Sequence, residues 1–198
     1  MVSRVRKRLS AAERRAGILS AAVHAFAIEG YDETSMDRIA AGAKVSKPVL
    51  YDHFSSKQAL FLAVLESIRD GLIAKGKSIV ATDSPPEQKF RRAIDAFLHF
   101  VEHEPDAARV LLTVPRGDPV AAKLSREIQA GASAGIAGLL LTFMPASPPW
   151  RLLAATEFLK EGLHALAEWW LANPGPTREE LVDVVARLVW PGLREARP

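Results

Sequence analysis

An all-α fold of about nine helices is predicted by three observations. Capping residues recur at nearly every break in the hydrophobic pattern, prolines stand mostly at helix starts, and no alternating run of Val, Ile or Thr is bounded by hairpin residues. Ser10 with Glu13 forms a capping box that opens the first helix, whose Ile18, Leu19, Ala22, Val23 and Phe26 share one face and which Gly30 can end. Thr34 with Asp37 starts a short second helix with Met36, Ile39 and Ala40 turned inward, ending near Gly42. Ser46 then caps a third, from Lys47 to His53, where Pro48 is tolerated because the first turn has no helical use for its missing N–H. Ser55 with Gln58 opens a fourth that runs towards Ile79.

The remaining helices repeat this grammar. Ser84 and Pro85, Asp118 and Pro119, Ser147 and Pro148, and Thr177 with Glu180 each mark a start, and a shorter segment from Asp106 to Val114 lies between Pro105 and Pro115. Pro191 and Gly192 are expected to break the last helix. The division expected is a domain over residues 1–56, with a basic N-terminal arm, and a second over 57–198, joined by the helix from Ser55.

Composition narrows the function. Of 198 residues, 48% are hydrophobic and 25% charged, which suits a folded globular chain. The absence of cysteine removes disulfides, thiolate metal sites and thiol nucleophiles, and it is compatible with a cytoplasmic location. Positive charge is concentrated early: residues 1–60 carry ten Lys and Arg against six Asp and Glu, with Arg4, Arg6, Lys7 and Arg8 in a polar leader. Such an arm suits phosphate contact. The uncharged stretch from Ile128 to Trp150 contains only 15 continuous apolar or small residues, Ala130 to Met144, too few for the ~20 that a membrane-spanning helix needs, so no membrane partner is expected.

A short helix, a turn near Gly42 and a second short helix capped by Ser46 outline a helix-turn-helix. The residues go further: AAVHAFAIEGYDETSMDRIAAGAKVSKPVLYDHFSSKQALFLAVLE, from Ala21 to Glu66, resembles the DNA-binding domain of the TetR family of transcriptional repressors. The aromatic-Ala-x-x-Gly-Tyr end of the first helix, Thr34, the Val-Ser-Lys start of the third helix, Leu50, Tyr51, His53, Phe54 and Ser-x-Lys come in the family's order. The resemblance implies a homodimeric regulator, binding a palindromic double-stranded DNA operator. Its C-terminal helices would hold a small hydrophobic ligand that releases the DNA, with no cofactor and no enzymatic activity.

Roles follow residue by residue. Lys47 has the reach to donate to guanine O6 and N7, and Val49 can touch a thymine methyl. Thr34, Ser46, Tyr51, His53 and Lys57 match family positions that mostly hold phosphates, and N–H groups at the starts of the second and fourth helices could add anion contacts. Pro48 removes a backbone donor at the helix start. Asp52 either accepts from cytosine N4 or pairs with Lys47 or Lys57 when DNA is absent.

Two enzyme motifs are present in form only. Gly131-Ala132-Ser133-Ala134-Gly135 matches a hydrolase nucleophile elbow but sits in a helical segment without a preceding strand, where small residues suit close packing or room for a ligand. His99-Phe100-Val101-Glu102-His103 matches an H-x-x-E-H zinc motif, yet both imidazoles fall opposite the inward stripe of Phe90, Ile94, Phe97 and Val101. They read as solvated side chains, and no metal ligand is assigned. Phe97, Phe100, Leu111, Phe143, Phe158 and Trp170 are candidate pocket residues, each open to a plain core role. Ala155, Leu159, Gly162, Leu166 and Trp169, with Val184 and Leu188 of the last helix, are candidates for a four-helix dimer interface.

Overall fold

A computed structural model describes residues 10–145 and 147–195; the basic cluster Arg4, Arg6, Lys7 and Arg8 lies outside the described residues. Among the described residues there are nine α-helices and no strand: α1 Ala11–Glu33, α2 Met36–Gly42, α3 Lys47–His53, α4 Lys57–Val80, α5 Pro86–His103, α6 Pro105–Leu112, α7 Pro119–Phe143, α8 Pro149–Ala172 and α9 Arg178–Glu195. No helix among them is long and apolar enough to cross a membrane.

Local chemistry explains most boundaries. The capping box at α1 is formed, with Glu13 N donating to Ser10 Oγ at 3.1 Å and Ser10 N to Glu13 Oε2 at 2.7 Å. Gly30 turns the chain at φ 77°, a value that an L side chain rarely adopts, and one further turn carries α1 to Glu33. Two caps sit one residue later than the sequence suggests. Ser35, not Thr34, accepts from Arg38 N at α2, and Ser56, not Ser55, accepts from Ala59 N at α4. At α8 the N-cap position falls on Pro148, and Ser147 makes no cap. The α6 helix starts at Pro105 and stops at Leu112, two residues short of Val114.

Two cores organise these helices. The first joins Ile18, Ala22 and Phe26 of α1 to Ile39, Leu50, Leu60, Phe61 and Val64, and reaches Leu111 of α6 and Ile128 of α7. The rings of Phe26, Tyr31 and Phe61 lie 4.7 to 5.7 Å apart at its centre. The second core holds Phe90, Phe143 and Trp190 in mutual ring contact. That contact explains why α9 does not break at Pro191. Trp190 and Leu193 are buried against the second core, and their burial outweighs the backbone hydrogen bond that a helical proline forgoes.

Candidate nucleic-acid interface and ligand cavity

The turn from α2 to α3 is tighter than its sequence suggests, because its left-handed residue is Lys44, at φ 55°, while Gly42 stays within α2. Lys44 N donates to Ala41 O and Val45 N to Ala40 O, each at 3.1 Å. Leu50 and Phe54 are buried and fix α3 to the first core. That leaves Ser46, Lys47, Pro48, Tyr51 and Asp52 exposed on the outer face of α3, with Val49 and His53 half-buried beside them. Ser46 holds the N-cap position without a side-chain cap bond, so its hydroxyl is not spent on its own helix. Lys47 Nζ lies 2.9 Å from Asp37 Oδ1, a pair more than half exposed on both sides. Hydrogen bonding to Asp37 raises the Lys47 pKa, so its ammonium is charged, and a solvated pair of this kind exchanges readily for another anion or a base edge.

Two residues are placed differently from the phosphate role that the sequence suggests. Thr34 is only 1% exposed and its hydroxyl donates to Gly30 O at 2.6 Å, so its side chain holds the end of α1 and faces away from solvent. Lys57 spends all three ammonium donors on carbonyls, Tyr31 O at 2.8 Å, Thr34 O at 3.0 Å and Asp32 O at 3.1 Å, with the Tyr31 ring 4.5 Å beneath. Those carbonyls follow the Gly30 bend and find no helical partner there. Lys57→Ala is therefore expected to cost about 1–3 kcal/mol of stability, read as a fall in unfolding temperature, while the salt dependence of DNA binding stays unchanged. A flattened salt slope with unchanged unfolding would return Lys57 to phosphate contact. Asp52 pairs with neither Lys47 nor Lys57, since both are engaged elsewhere.

A cavity of about 580 Å³ opens between α4, α5, α7 and α8. Its wall is almost wholly apolar, built from Leu72, Ile73, Phe90, Ile94, Leu139 and Leu163 among others. Phe97 and Leu111 of the six candidates line it. Phe143 and Trp170 belong to the second core, the latter donating Nε1–H to Pro176 O, and Phe100 packs against both cores. Phe158 is 72% exposed and points outward. Gly135 and Gly138 of α7 line the wall, and a Cβ at Gly135 would meet Ile73 at 3.7 Å, an ordinary contact.

Ser133 of the elbow-like motif lies within α7, as expected, and accepts from Lys160 Nζ at 3.1 Å. Burial works against charge on Lys160, but hydrogen bonds to Glu157 and Glu161 outweigh it and raise its pKa. A protonated ammonium cannot serve as a general base, so the pair has no hydrolytic chemistry. One turn on, burial lowers the pKa of His164, which stacks on Phe97 and presents a neutral imidazole to the cavity.

Of the interface candidates, Gly162, Trp169, Val184 and Leu188 are exposed, and Ala155 and Leu166 are half-buried against the second core. Leu159 is buried and lines the cavity instead.

The sequence suggests that the helix from Ser55 joins the two parts of the chain, and the structure adds contacts from the start of α7 to the end of α1. Asp118, the N-cap of α7, accepts from Val120 N and Ala121 N through Oδ1. Its Oδ2 accepts from Tyr31 Oη at 2.8 Å and Gln58 Nε2 at 3.0 Å. Alongside, Asp32 Oδ2 accepts from Gly117 N at 3.0 Å and Arg116 N at 3.2 Å, an approach so close that a Cβ on Gly117 would lie 2.9 Å from the Asp32 carboxylate. The Tyr31 hydroxyl, then the Ala121 amide, hold the Asp118 pKa below its ordinary value. A depressed carboxylate stabilises the fold above its ordinary pKa and loses that contribution as pH falls through the folded value, so the Asp118 bonds are in place at neutral pH and weaken in acid.

Comparison with known proteins places this architecture. The profile of bacterial regulatory proteins of the tetR family matches residues 18–64. The HTH-type transcriptional activator FasR of Mycolicibacterium smegmatis is 34% identical over 197 residues, 94% of this chain and 85% of the relative. A TetR-like transcriptional regulator from Rhodococcus sp. RHA1 superposes with a TM-score of 0.76 at 28% identity, covering 94% of this chain and 98% of that one. The transcriptional regulator FadR from Bacillus subtilis, solved in complex with stearoyl-CoA, shares the fold with a TM-score of 0.78 at 17% identity, over 92% and 99% of the two chains.

Proposed function

The chain belongs to the TetR family of transcription regulators, and from that premise we propose that it binds a palindromic operator as a homodimer and is released by an apolar ligand held in the 580 Å³ cavity. It is a regulator and not an enzyme. The observation that carries the proposal is the exposed outer face of α3, with Lys47, Tyr51 and Ser46 presented from a helix anchored by Leu50 and Phe54. In a two-fold dimer, two such helices reach successive major grooves when they stand ~34 to 36 Å apart.

The ligand class follows from the wall. A volume of 580 Å³ falls within the ~300 to 1,000 Å³ of sites for small molecules. Each methylene transferred into such a wall contributes about 0.8 kcal/mol. Stearoyl-CoA in the Bacillus subtilis FadR, a protein of the same fold, supports an acyl chain as the occupant. Native mass spectrometry of freshly purified protein is expected to show a co-purified apolar compound that lowers DNA affinity when added back. Protein that binds acyl ligands and operator together without mutual effect would overturn the release mechanism.

We propose Lys47 as the base-reading residue. Lys47→Ala should cost about 1–3 kcal/mol on the operator and relax discrimination there, measured by fluorescence anisotropy against operator and random duplexes at several salt concentrations. Equal loss on both duplexes would make Lys47 a phosphate contact. Repression is the output proposed. Activation is the second reading, favoured by the name of the Mycolicibacterium smegmatis relative, and in vitro transcription from an operator-bearing promoter separates the two.

A further inference from the structure

His99 and His103 lie one turn apart on the last stretch of α5, both exposed. Their Nδ1 atoms approach to 2.6 Å, and Glu102 Oε2 lies 3.4 Å from His103 Nδ1. One ligand atom from each of the three residues falls within 4.8 Å of the others. The spacing of four residues sets both imidazoles on one face of α5, where His103 Nδ1 also lies 3.0 Å from His99 O, and one divalent cation can reach a nitrogen of each ring.

We infer that His99, Glu102 and His103 form a site for one borderline transition-metal ion of the Zn²⁺, Ni²⁺ and Cu²⁺ class, with water completing its coordination. Two imidazoles and a carboxylate suit such ions, whereas Mg²⁺ and Ca²⁺ prefer all-oxygen surroundings. Zinc held by two nitrogens at ~2.0–2.1 Å in a tetrahedral arrangement needs them about 3.3 Å apart. The rings must therefore open by less than an ångström, which small side-chain rotations supply where nothing packs over them. The helix itself holds the two imidazoles on one face, so little ordering cost remains at binding.

Glu102 is the weakest of the three ligands, because Arg178 Nη1 already lies 2.5 Å from its Oε2. Arg178 keeps a second partner in Asp95, 2.9 Å from Nε, so α9 stays anchored when Glu102 turns to the ion. The site lies open to solvent and has no sheltered cleft for a substrate, which separates it from the catalytic zinc centres that share its motif. It sits directly before Pro105, where α6 begins, and Asp106 of α6 pairs with His24 of α1 at 2.8 Å. An ion bridging His99 and His103 would stiffen the turn from which that contact with α1 departs.

Isothermal titration of the full, tag-free chain with Zn²⁺ or Ni²⁺ alone should show one ion per chain, with no heat from Mg²⁺. His99→Ala and His103→Ala should each weaken binding by roughly tenfold or more, Glu102→Gln by less, and His24→Ala not at all. Cu²⁺ bound to the protein should show nitrogen hyperfine splitting from two imidazoles, reduced in either His variant. The residues are exposed, so the metal-free variants should unfold at the same temperature as the parent. Absence of stoichiometric binding, binding that survives both His variants, or equal binding of Mg²⁺ would each overturn the site.

Discussion

Gly162→Arg is expected to convert the proposed homodimer into monomers and to lower operator affinity about a hundredfold or more at fixed protein concentration, the scale on which a second tethered contact multiplies the first. Phe158, Gly162 and Trp169 follow one another at intervals of four and seven along the outer face of α8, and Val184 and Leu188 stand four apart on α9. All five are exposed, Leu188 at 77%, which leaves them free for the proposed interface. Nothing lies within 4 Å of the point where a Cβ on Gly162 would stand. Arginine there is therefore accommodated within the protomer, and its cost would fall on the proposed interface, where an unpaired guanidinium would be buried against apolar side chains. Light scattering checks the outcome directly. A dimer that persists in Gly162→Arg places the interface on another face, whereas Gly162→Ala should leave the dimer intact.

The same pair of helices shows where reading from sequence stops. Phe158 and Leu159 are adjacent, and their apolarity alone does not say which faces a partner and which faces a cavity. The structure turns Leu159 to the cavity and leaves Phe158 exposed, against the cavity role expected of Phe158. Helix starts are legible where a single local pair decides them, as at Ser10 with Glu13, Asp118 and Thr177 with Glu180. Neighbouring cap-competent residues blur the boundary. Of Thr34 and Ser35, the first is drawn into the core by the carbonyl of Gly30, a preference set by the bend of α1 rather than by either residue. Lys57 shows the same limit: its lysine is plain in the sequence, but the three carbonyls that occupy it come from a segment more than 20 residues earlier. The outer face of α3 was legible because its pattern of buried Leu50 and Phe54 is helical and local. Tyr31 and Asp118, 87 residues apart, carry no such signal.

Tyr31→Phe is expected to leave the chain folded and to remove most of the effect of the proposed ligand on DNA affinity. The ring keeps its contacts with Phe26 and Phe61, and Asp118 keeps Gln58, Val120 and Ala121, so the loss is one hydrogen bond worth about 1 kcal/mol. Its position gives that bond more consequence than its strength. From Asp118 at its N-cap, α7 runs along the cavity wall to Leu140, so in the proposed mechanism a ligand that shifted α7 would pull on the end of α1 through the Tyr31 hydroxyl while α4 would carry a parallel displacement to α3. A ligand acts only through its differing affinity for the two arrangements, typically ~1–3 kcal/mol, or about 5- to 150-fold in DNA binding. Reciprocity supplies the check. In the parent protein, saturating operator should weaken binding of a C16 or C18 acyl ligand by the same factor by which that ligand weakens operator binding. In Tyr31→Phe both factors should fall towards one while each separate affinity stays near its parent value. If the two factors are undiminished in the variant, α4 alone carries the signal and the Tyr31–Asp118 bond is only a structural fastening between α1 and α7.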